Sequence, residues 1–378
     1  MVKKTIKYPG LLFLVLLIVS CDFIADPPAV ENYNLPVYSI EISEENYGLL
    51  KKNAYSNLKV SARLNINGEE HKIKIRHQGF SSRGNFKKNF RIIYEEGSDP
   101  FFEGSEVILN SQAIDPSMLK SFLAIEIFKR TDLITFEVQP VAFYINDAYE
   151  GLYYLIEPID EDFFVRRNIK TSELYKAYNG FAFFNYKDLP DVRKGYEKKF
   201  PEDENYHTLE KLIAATSYDG PDFPEKLEKI FDVDKFLQYW AVTVLICNWD
   251  GIIHNFCLRR DAFSNKFEIV PWDLDRTFVW DDYRTAFPGD NYLVRKLMNY
   301  PKYRKIYKAR FERLLEEVFN ASVLFPKIDS MKTVIREAYN NDRWLNANGY
   351  DIDRESENIK MFIEKRIGYI KNQLENFN

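Results

Sequence analysis

The chain has 378 residues, with 52 Lys and Arg against 57 Asp and Glu, and a formal net charge of −5. That acidic balance, without any basic run, excludes a protein that binds nucleic acid by neutralising phosphates. The length allows two lobes with substantial cores, and 25 Tyr and 30 Phe suit β-rich packing or an aromatic-lined binding surface.

In chain order, Lys3, Lys4 and Lys7 precede an apolar stretch from Leu11 to Val19 that is too short for a permanent membrane span. It ends at Ile18-Val19-Ser20-Cys21, which resembles the lipobox of bacterial lipoproteins. Residues 1–20 are therefore expected to be a lipoprotein signal peptide, with Cys21 as the lipidation site. An ordinary signal peptide with a nearby cysteine is the plainer alternative. Residues 21–35, containing Pro27-Pro28, read as a tether. The expected location is extracytoplasmic, held to a bacterial membrane through the N-terminal lipid alone. The remaining cysteines, Cys247 and Cys257, suit either a disulfide or two small buried thiols.

From Pro36 to Val141 the pattern is mainly that of strands: Val37–Ile42, Lys59–Ile66 and His71–Arg76, the last alternating strictly as Lys-Ile-Lys-Ile-Arg. A helix or turn is expected near Glu44–Asn53. The loop Gln78–Asn85 leads to a predicted strand, Phe86–Tyr94. Asp115-Pro116 opens a predicted helix to Arg130, with Asp as cap and Pro in the first turn. Strands are expected at Gln139–Ile145 and Gly151–Glu157 around an Asn146-Asp147 turn. Beyond Pro158 helices are predicted near Asp160–Arg167, His207–Ala215, Asp222–Ile230, Asp234–Cys247 and Asn358–Leu374. A hairpin, Phe256–Arg260 with Lys266–Pro271, is embedded among them. The order suggests a β-rich N-lobe over 36–157 and a mainly helical C-lobe over 158–378.

The segment Asn248-Trp-Asp-Gly-Ile-Ile-His-Asn255 lies between a helix and that hairpin. Asp250 and Asn255 have the D-x-x-x-x-N spacing of a kinase catalytic loop, where Asp orients the acceptor hydroxyl and Asn holds a metal. The hairpin then runs into Pro271-Trp-Asp-Leu-Asp275, placing Asp273 and Asp275 where a metal-chelating Asp belongs. Hard oxygen donors of this kind suit Mg²⁺ or Mn²⁺ better than zinc. Upstream, the turn Gly79 to Gly84 can bring backbone N–H groups to phosphates, with Ser81, Ser82 and Arg83 adding donors and charge. Lys87 and Lys88 fall on the next expected strand and face opposite sides. Lys88 is favoured for the nucleotide, with Glu126 as a possible pairing carboxylate, although parity alone does not choose between the lysines. Glu157 lies where a hinge would meet adenine. Asp250 and Asp273 also fit a glycosidase pair, but Walker, HExxH and GxSxG signatures are absent from the sequence.

Taken together, Arg76-His-Gln-Gly-Phe-Ser-Ser, Lys87-Lys-Asn-Phe-Arg-Ile, Gly151-Leu-Tyr-Tyr-Leu-Ile-Glu-Pro-Ile-Asp160, Asn248-Trp-Asp, Asn255-Phe and Pro271-Trp-Asp-Leu-Asp275 resemble the successive motifs of the CotH family. Arg366 in an amphipathic C-terminal helix fits as well. Gln78 and Phe86 depart from the usual Arg and Pro of those motifs. The resemblance implies an α+β, atypical two-lobed protein-kinase-like fold that binds ATP with Mg²⁺ or Mn²⁺ and phosphorylates Ser or Thr of secreted proteins. Carried over by motif, Asp250 is the catalytic-loop carboxylate, Asn255 and Asp273 are metal ligands, and Lys88 is the phosphate lysine. The alternative is a non-catalytic kinase-like surface module binding glycan or protein partners.

Overall fold

Period-two alternation requires strands with one buried face, and a closed barrel satisfies it for the first half of the chain. A computed structural model describes residues 31–279 and 285–377, so the expected signal peptide and Cys21 lie outside the described residues. The barrel strands are β1 (Val37–Glu41), β2 (Val60–Ile66), β3 (Glu69–His77), β4 (Phe90–Tyr94), β5 (Glu106–Asn110), β6 (Val138–Ile145) and β7 (Ala148–Ile156). They close in the order β1-β2-β3-β4-β5-β7-β6. Every pairing is antiparallel except β1 with β6. Two short helices accompany them, α1 (Glu44–Lys52) and α2 (Lys120–Phe128).

Alternate residues of β5 and β7 serve two cores. Val107, Leu109, Tyr153 and Leu155 fill the barrel, whereas Ile108, Leu152, Tyr154 and Ile156 join the apolar core of the helical half. That half contains α3 (Glu161–Arg166), β8 (Thr171–Ala177), β9 (Tyr196–Phe200), α4 (His207–Ser217), α5 (Phe223–Glu228) and α6 (Val233–Leu245). The hairpin β10 (Phe256–Asp261) and β11 (Phe267–Pro271) follows, then α7 (Tyr292–Leu297), α8 (Pro301–Glu317), α9 (Ala321–Asn341), α10 (Arg343–Ala347) and α11 (Ile352–Glu375). A second sheet has the order β11-β10-β8-β9. The architecture is α+β, β-rich first and helical later, and Asn32–Asn378 clusters as one compact unit.

Several local expectations are corrected. The strand expected from Phe86 begins at Phe90, so the opposite-faces argument for Lys87 and Lys88 does not hold. Side chains rather than a ladder organise that stretch: Asn89 Oδ1 accepts from Ser111 N (2.8 Å) and Ser111 Oγ (2.7 Å). The helix expected from Asp115 starts at Lys120, because Met118 is left-handed (φ 58) and interrupts it. Asp115 instead closes a turn, accepting from Ser117 N (2.9 Å), Ser117 Oγ (2.6 Å) and Lys120 N (2.9 Å). β5, β8 and β9 fall in stretches to which the sequence pattern assigned no element. Cys247 and Cys257 are buried and are not joined as a disulfide.

Lys87 does not meet solvent. Its Nζ donates to Leu152 O (2.6 Å) and to Asp342 Oδ2 (2.7 Å), the two side chains being 4 % and 0 % exposed. Burial pushes the lysine pKa down and Asp342 works against that. Asp342 also accepts from Leu152 N (2.9 Å) and caps α10 through Trp344 N (2.9 Å). Gly151 (φ +127) is required at this crossing, since a Cβ would stand 2.2 Å from Asp342 Oδ2. Breaking a buried pair from one side leaves an uncompensated charge, so Asp342→Ala should cost about 3–5 kcal/mol in urea unfolding. Lys87→Met combined with Asp342→Leu should recover more than half of that loss. A double variant as unstable as the single one would show that the ion pair is not the cause.

Candidate functional site

The loop before the hairpin is fixed from beneath. Arg366 of α11 donates Nε (3.2 Å) and Nη2 (2.6 Å) to Val244 O, at the C-terminal end of α6, and Nη2 to Thr285 O (2.5 Å). A cation at a helix C-terminus is favourable, and burial lowers this guanidinium's pKa. Cys247 then turns left-handed (φ 51), and a 3-10 turn covers Asp250–Ile252. Asn248 Oδ1 accepts from Gly251 N (3.2 Å), Tyr239 Oη donates to Gly251 O (2.8 Å), and Asn291 Nδ2 donates to Ile252 O (3.2 Å). A Cβ on Gly251 would lie 2.6 Å from Asn248 Nδ2 and from Tyr239 Oη, so only glycine fits without a shift.

Asp250 is buried in this rigid loop. Its Oδ1 lies 3.2 Å from His254 Nε2 and its Oδ2 lies 3.9 Å from Arg276 Nε. The His254 approach lacks hydrogen-bond alignment, leaving Oδ1 a buried acceptor without a partner. Pairing of Phe256 with Pro271 in the hairpin brings the residues just outside it together. Asn255 Nδ2 donates to Asp273 O (3.3 Å) and Trp272 N to Asn255 O (3.3 Å). Both Asn255 (φ 58) and Asp273 (φ 54) are left-handed, a conformation that Asn and Asp tolerate best after Gly. Among the described residues no hydrogen bond engages Asn255 Oδ1, which is the side-chain atom available to a cation.

The carboxylates crowd one another. Burial raises the Asp273 pKa, Lys176 opposes, Asp250 adds to the rise and His254 opposes. Asp275 is pushed up strongly by burial, then by Asp273, Asp250 and Asp115, with Arg276 opposing. Both keep some exposed surface at the floor of this crowded region. Among the described residues no group of three or more His, Cys, Asp or Glu side chains is gathered as a metal cage. Mg²⁺ does not require one, since it is held by one or two carboxylates and completes its shell with phosphate oxygens and water. An orphaned Asp250 oxygen, raised neighbouring carboxylates and an oxygen-only donor set beside Asn255 fit such an ion.

Other expected residues lie apart from this group. Gly79 (φ +97) opens a 3-10 turn, Ser81–Gly84, where a Cβ would stand 2.0 Å from Ser82 Oγ. Arg83 is buried and holds the turn to its surroundings, donating to Ser56 O (2.8 Å), Asn57 Oδ1 (2.6 Å) and His77 O (3.4 Å). Lys88 Nζ donates to Arg83 O (2.6 Å). Among the described residues, no hydrogen bond or ion pair joins this turn to Asp250, Asn255, Asp273 or Asp275. Glu126 does not pair with Lys88: it meets Lys327 (2.5 Å) and Lys129 (3.5 Å). Glu157 is engaged by Arg166 (3.1 Å) and Arg167 (2.5 Å). His254, Arg276, Asp115 and Lys176 were not foreseen at the site. Only His254 carried a local signal, four residues after Asp250.

The family model described as CotH kinase protein matches residues 75–370. The chain is 28 % identical over 357 residues to "Inner spore coat protein H" of Bacillus subtilis, covering 90 % of this chain and 98 % of that protein. It is 22 % identical to "Invasin CotH3" of Rhizopus delemar, covering 68 % of this chain but 47 % of the fungal protein. Among solved structures, the proinflammatory kinase CtkA of Helicobacter pylori matches with a TM-score of 0.34 at 11 % identity, covering 77 % of this chain and 97 % of that one.

A raised folded pKa makes a carboxylate's stabilising contribution complete at low pH and progressively lost as pH climbs through the folded value. Ionised Asp273 and Asp275 therefore oppose folding near neutrality without a counter-ion. At about pH 7, Mg²⁺ or Mn²⁺ should raise Tm by scanning calorimetry and chelation should reverse the rise. The increment should shrink at about pH 5. Asp275→Asn should raise the metal-free Tm. A metal-free Tm that climbs steadily from acid to neutral pH in a manner dependent on Asp275 would contradict the assignment.

Proposed function

Because the chain belongs to the CotH kinase protein family, we propose that it is an atypical Ser/Thr protein kinase acting on secreted or surface proteins with ATP. The observation that carries this reading is the convergence of Asp250 with the Asn255–Asp273 pair at the mouth of the hairpin. On this reading the β-barrel half, 36–157, is the N-lobe of a two-lobed kinase-like fold and 158–378 is the C-lobe.

Phosphoryl transfer needs positioning and charge neutralisation rather than a protein nucleophile. Asp250 orients the acceptor hydroxyl and receives its proton. The hydroxyl oxygen bonds to the γ-phosphorus, the bond to the β–γ bridging oxygen breaks, and ADP leaves. His254 and Arg276 flank the Asp250 carboxylate and steady it. Asn255 and Asp273 would hold Mg²⁺ or Mn²⁺, with Asp275 beside them, and the bound ion offsets phosphate charge. The Gly79–Gly84 turn and Lys88 are the proposed phosphate-facing parts of the N-lobe, for which the ammonium must leave the Arg83 carbonyl. Cys21 is the proposed lipid anchor, which places the site outside the cytoplasm.

Incubation with labelled ATP, Mg²⁺ or Mn²⁺ and a Ser-rich protein should give label transfer to that protein or to the chain itself. Asp250→Ala and Asp273→Ala should each lower it by about 10²- to 10⁴-fold. Transfer indifferent to both changes would remove the site assignment. Tight ATP binding with no transfer to any protein would favour a binding module instead.

A further inference from the structure

Lys176, on β8, pairs with Cys257 of β10, which pairs in turn with Val270 of β11. Paired residues of neighbouring strands share a face, and Trp272 follows Val270 by two positions. Lys176, Cys257, Val270 and Trp272 therefore pave one side of the sheet. The Lys176 ammonium lies 5.1 Å from the centre of the Trp272 ring, and Trp272 immediately precedes Asp273. Trp272 also meets Phe136, ring centres 5.1 Å apart, from the segment leading into β6.

This ammonium is half-buried, and among the described residues it makes no ion pair and no hydrogen bond. The neighbouring carboxylate on β9, Glu197, is engaged by Lys199 at 2.6 Å. Asp273 acts on Lys176 electrostatically from beyond ion-pair reach. Burial pushes the lysine pKa down, with Cys257 and Asp273 opposing and Lys199 assisting. A half-buried cation kept off the nearest carboxylate is costly unless an anion completes it. A phosphate oxygen shared between that cation and an ion on Asp273 meets the requirement of both.

We infer that Lys176 is a phosphate-binding residue of the nucleotide site, contacting the polyphosphate chain of a nucleoside triphosphate from the sheet side, next to Asp273. The inference rests on the kinase reading and adds to it a cation from the helical half, on the same sheet as the metal-binding hairpin.

Calorimetric titration of the full chain with ATP, ADP and adenosine in the presence of Mn²⁺ tests it. Lys176→Met should weaken ATP about 10- to 100-fold, as for a lost charge-assisted hydrogen bond, and leave adenosine unchanged. Lys176→Arg should retain part of the affinity. Tm of Lys176→Met should equal or exceed that of the unaltered chain, because an unpaired charge has been removed. ATP affinity unchanged in both variants, or adenosine weakened as much as ATP, would overturn the inference alone. No ATP binding by the unaltered chain would overturn the kinase reading and the inference together. Inorganic phosphate or a phosphoserine peptide competing better than ADP would instead identify a phosphorylated product as the ligand of Lys176.

Discussion

The buried contact between Lys87 and Asp342 is the constraint on which the architecture turns. It joins residues 255 positions apart in the chain, ties the approach to β4 to the middle of β7, and fixes both to the junction of α9 and α10. Two charges removed from water gain little in net stability over an apolar substitute, but they tolerate almost no misplacement. The pair thus specifies how the barrel meets the helices. Gly151, which leaves room for Asp342, belongs to the same crossing.

Around the hairpin the charge balance runs the other way. Asp250 bears on Asp273, and Asp115, Asp250 and Asp273 bear on Asp275, while Lys176 beside Asp273 and Arg276 beside Asp275 oppose them only in part. The scaffold beneath is rigid: Arg366 fixes the end of α6, and buried bonds from Tyr239, Asn248 and Asn291 fix the loop. Carboxylate crowding held in such a frame is relieved by protonation of a carboxylate or by a counter-charge rather than by backbone movement. Carboxylates perturbed by burial and by one another cluster at functional sites.

What the sequence disclosed was local. That Asn255 and Asp273 come together was legible because a hairpin register is a matter of counting, and Phe256 pairs with Pro271 as the alternation requires. Barrel strands with strict alternation, such as β3, were equally plain. Partnerships between distant segments were not. Glu126 was matched to Lys88, whereas its real partner Lys327 stands 201 residues away. The partner of Lys87 stayed hidden because Asp342 has no local relation to it in the sequence. Lys176 went unnoticed with β8, whose Thr-Ser-Glu-Leu-Tyr-Lys-Ala lacks clear alternation. The helix start at Lys120 was missed because only the backbone reveals that Met118 is left-handed.

Closure of the seven-stranded barrel has a further consequence. A closed sheet presents no unpaired rim to which a foreign strand can be added. Among the described strands, the second sheet ends at β9 and β11, and Phe231 already bridges Phe267 on the β11 side. The outer edge of β9, which carries Glu197 and Lys199 beside the Lys176 strand, is the one that nothing further pairs with among the described strands.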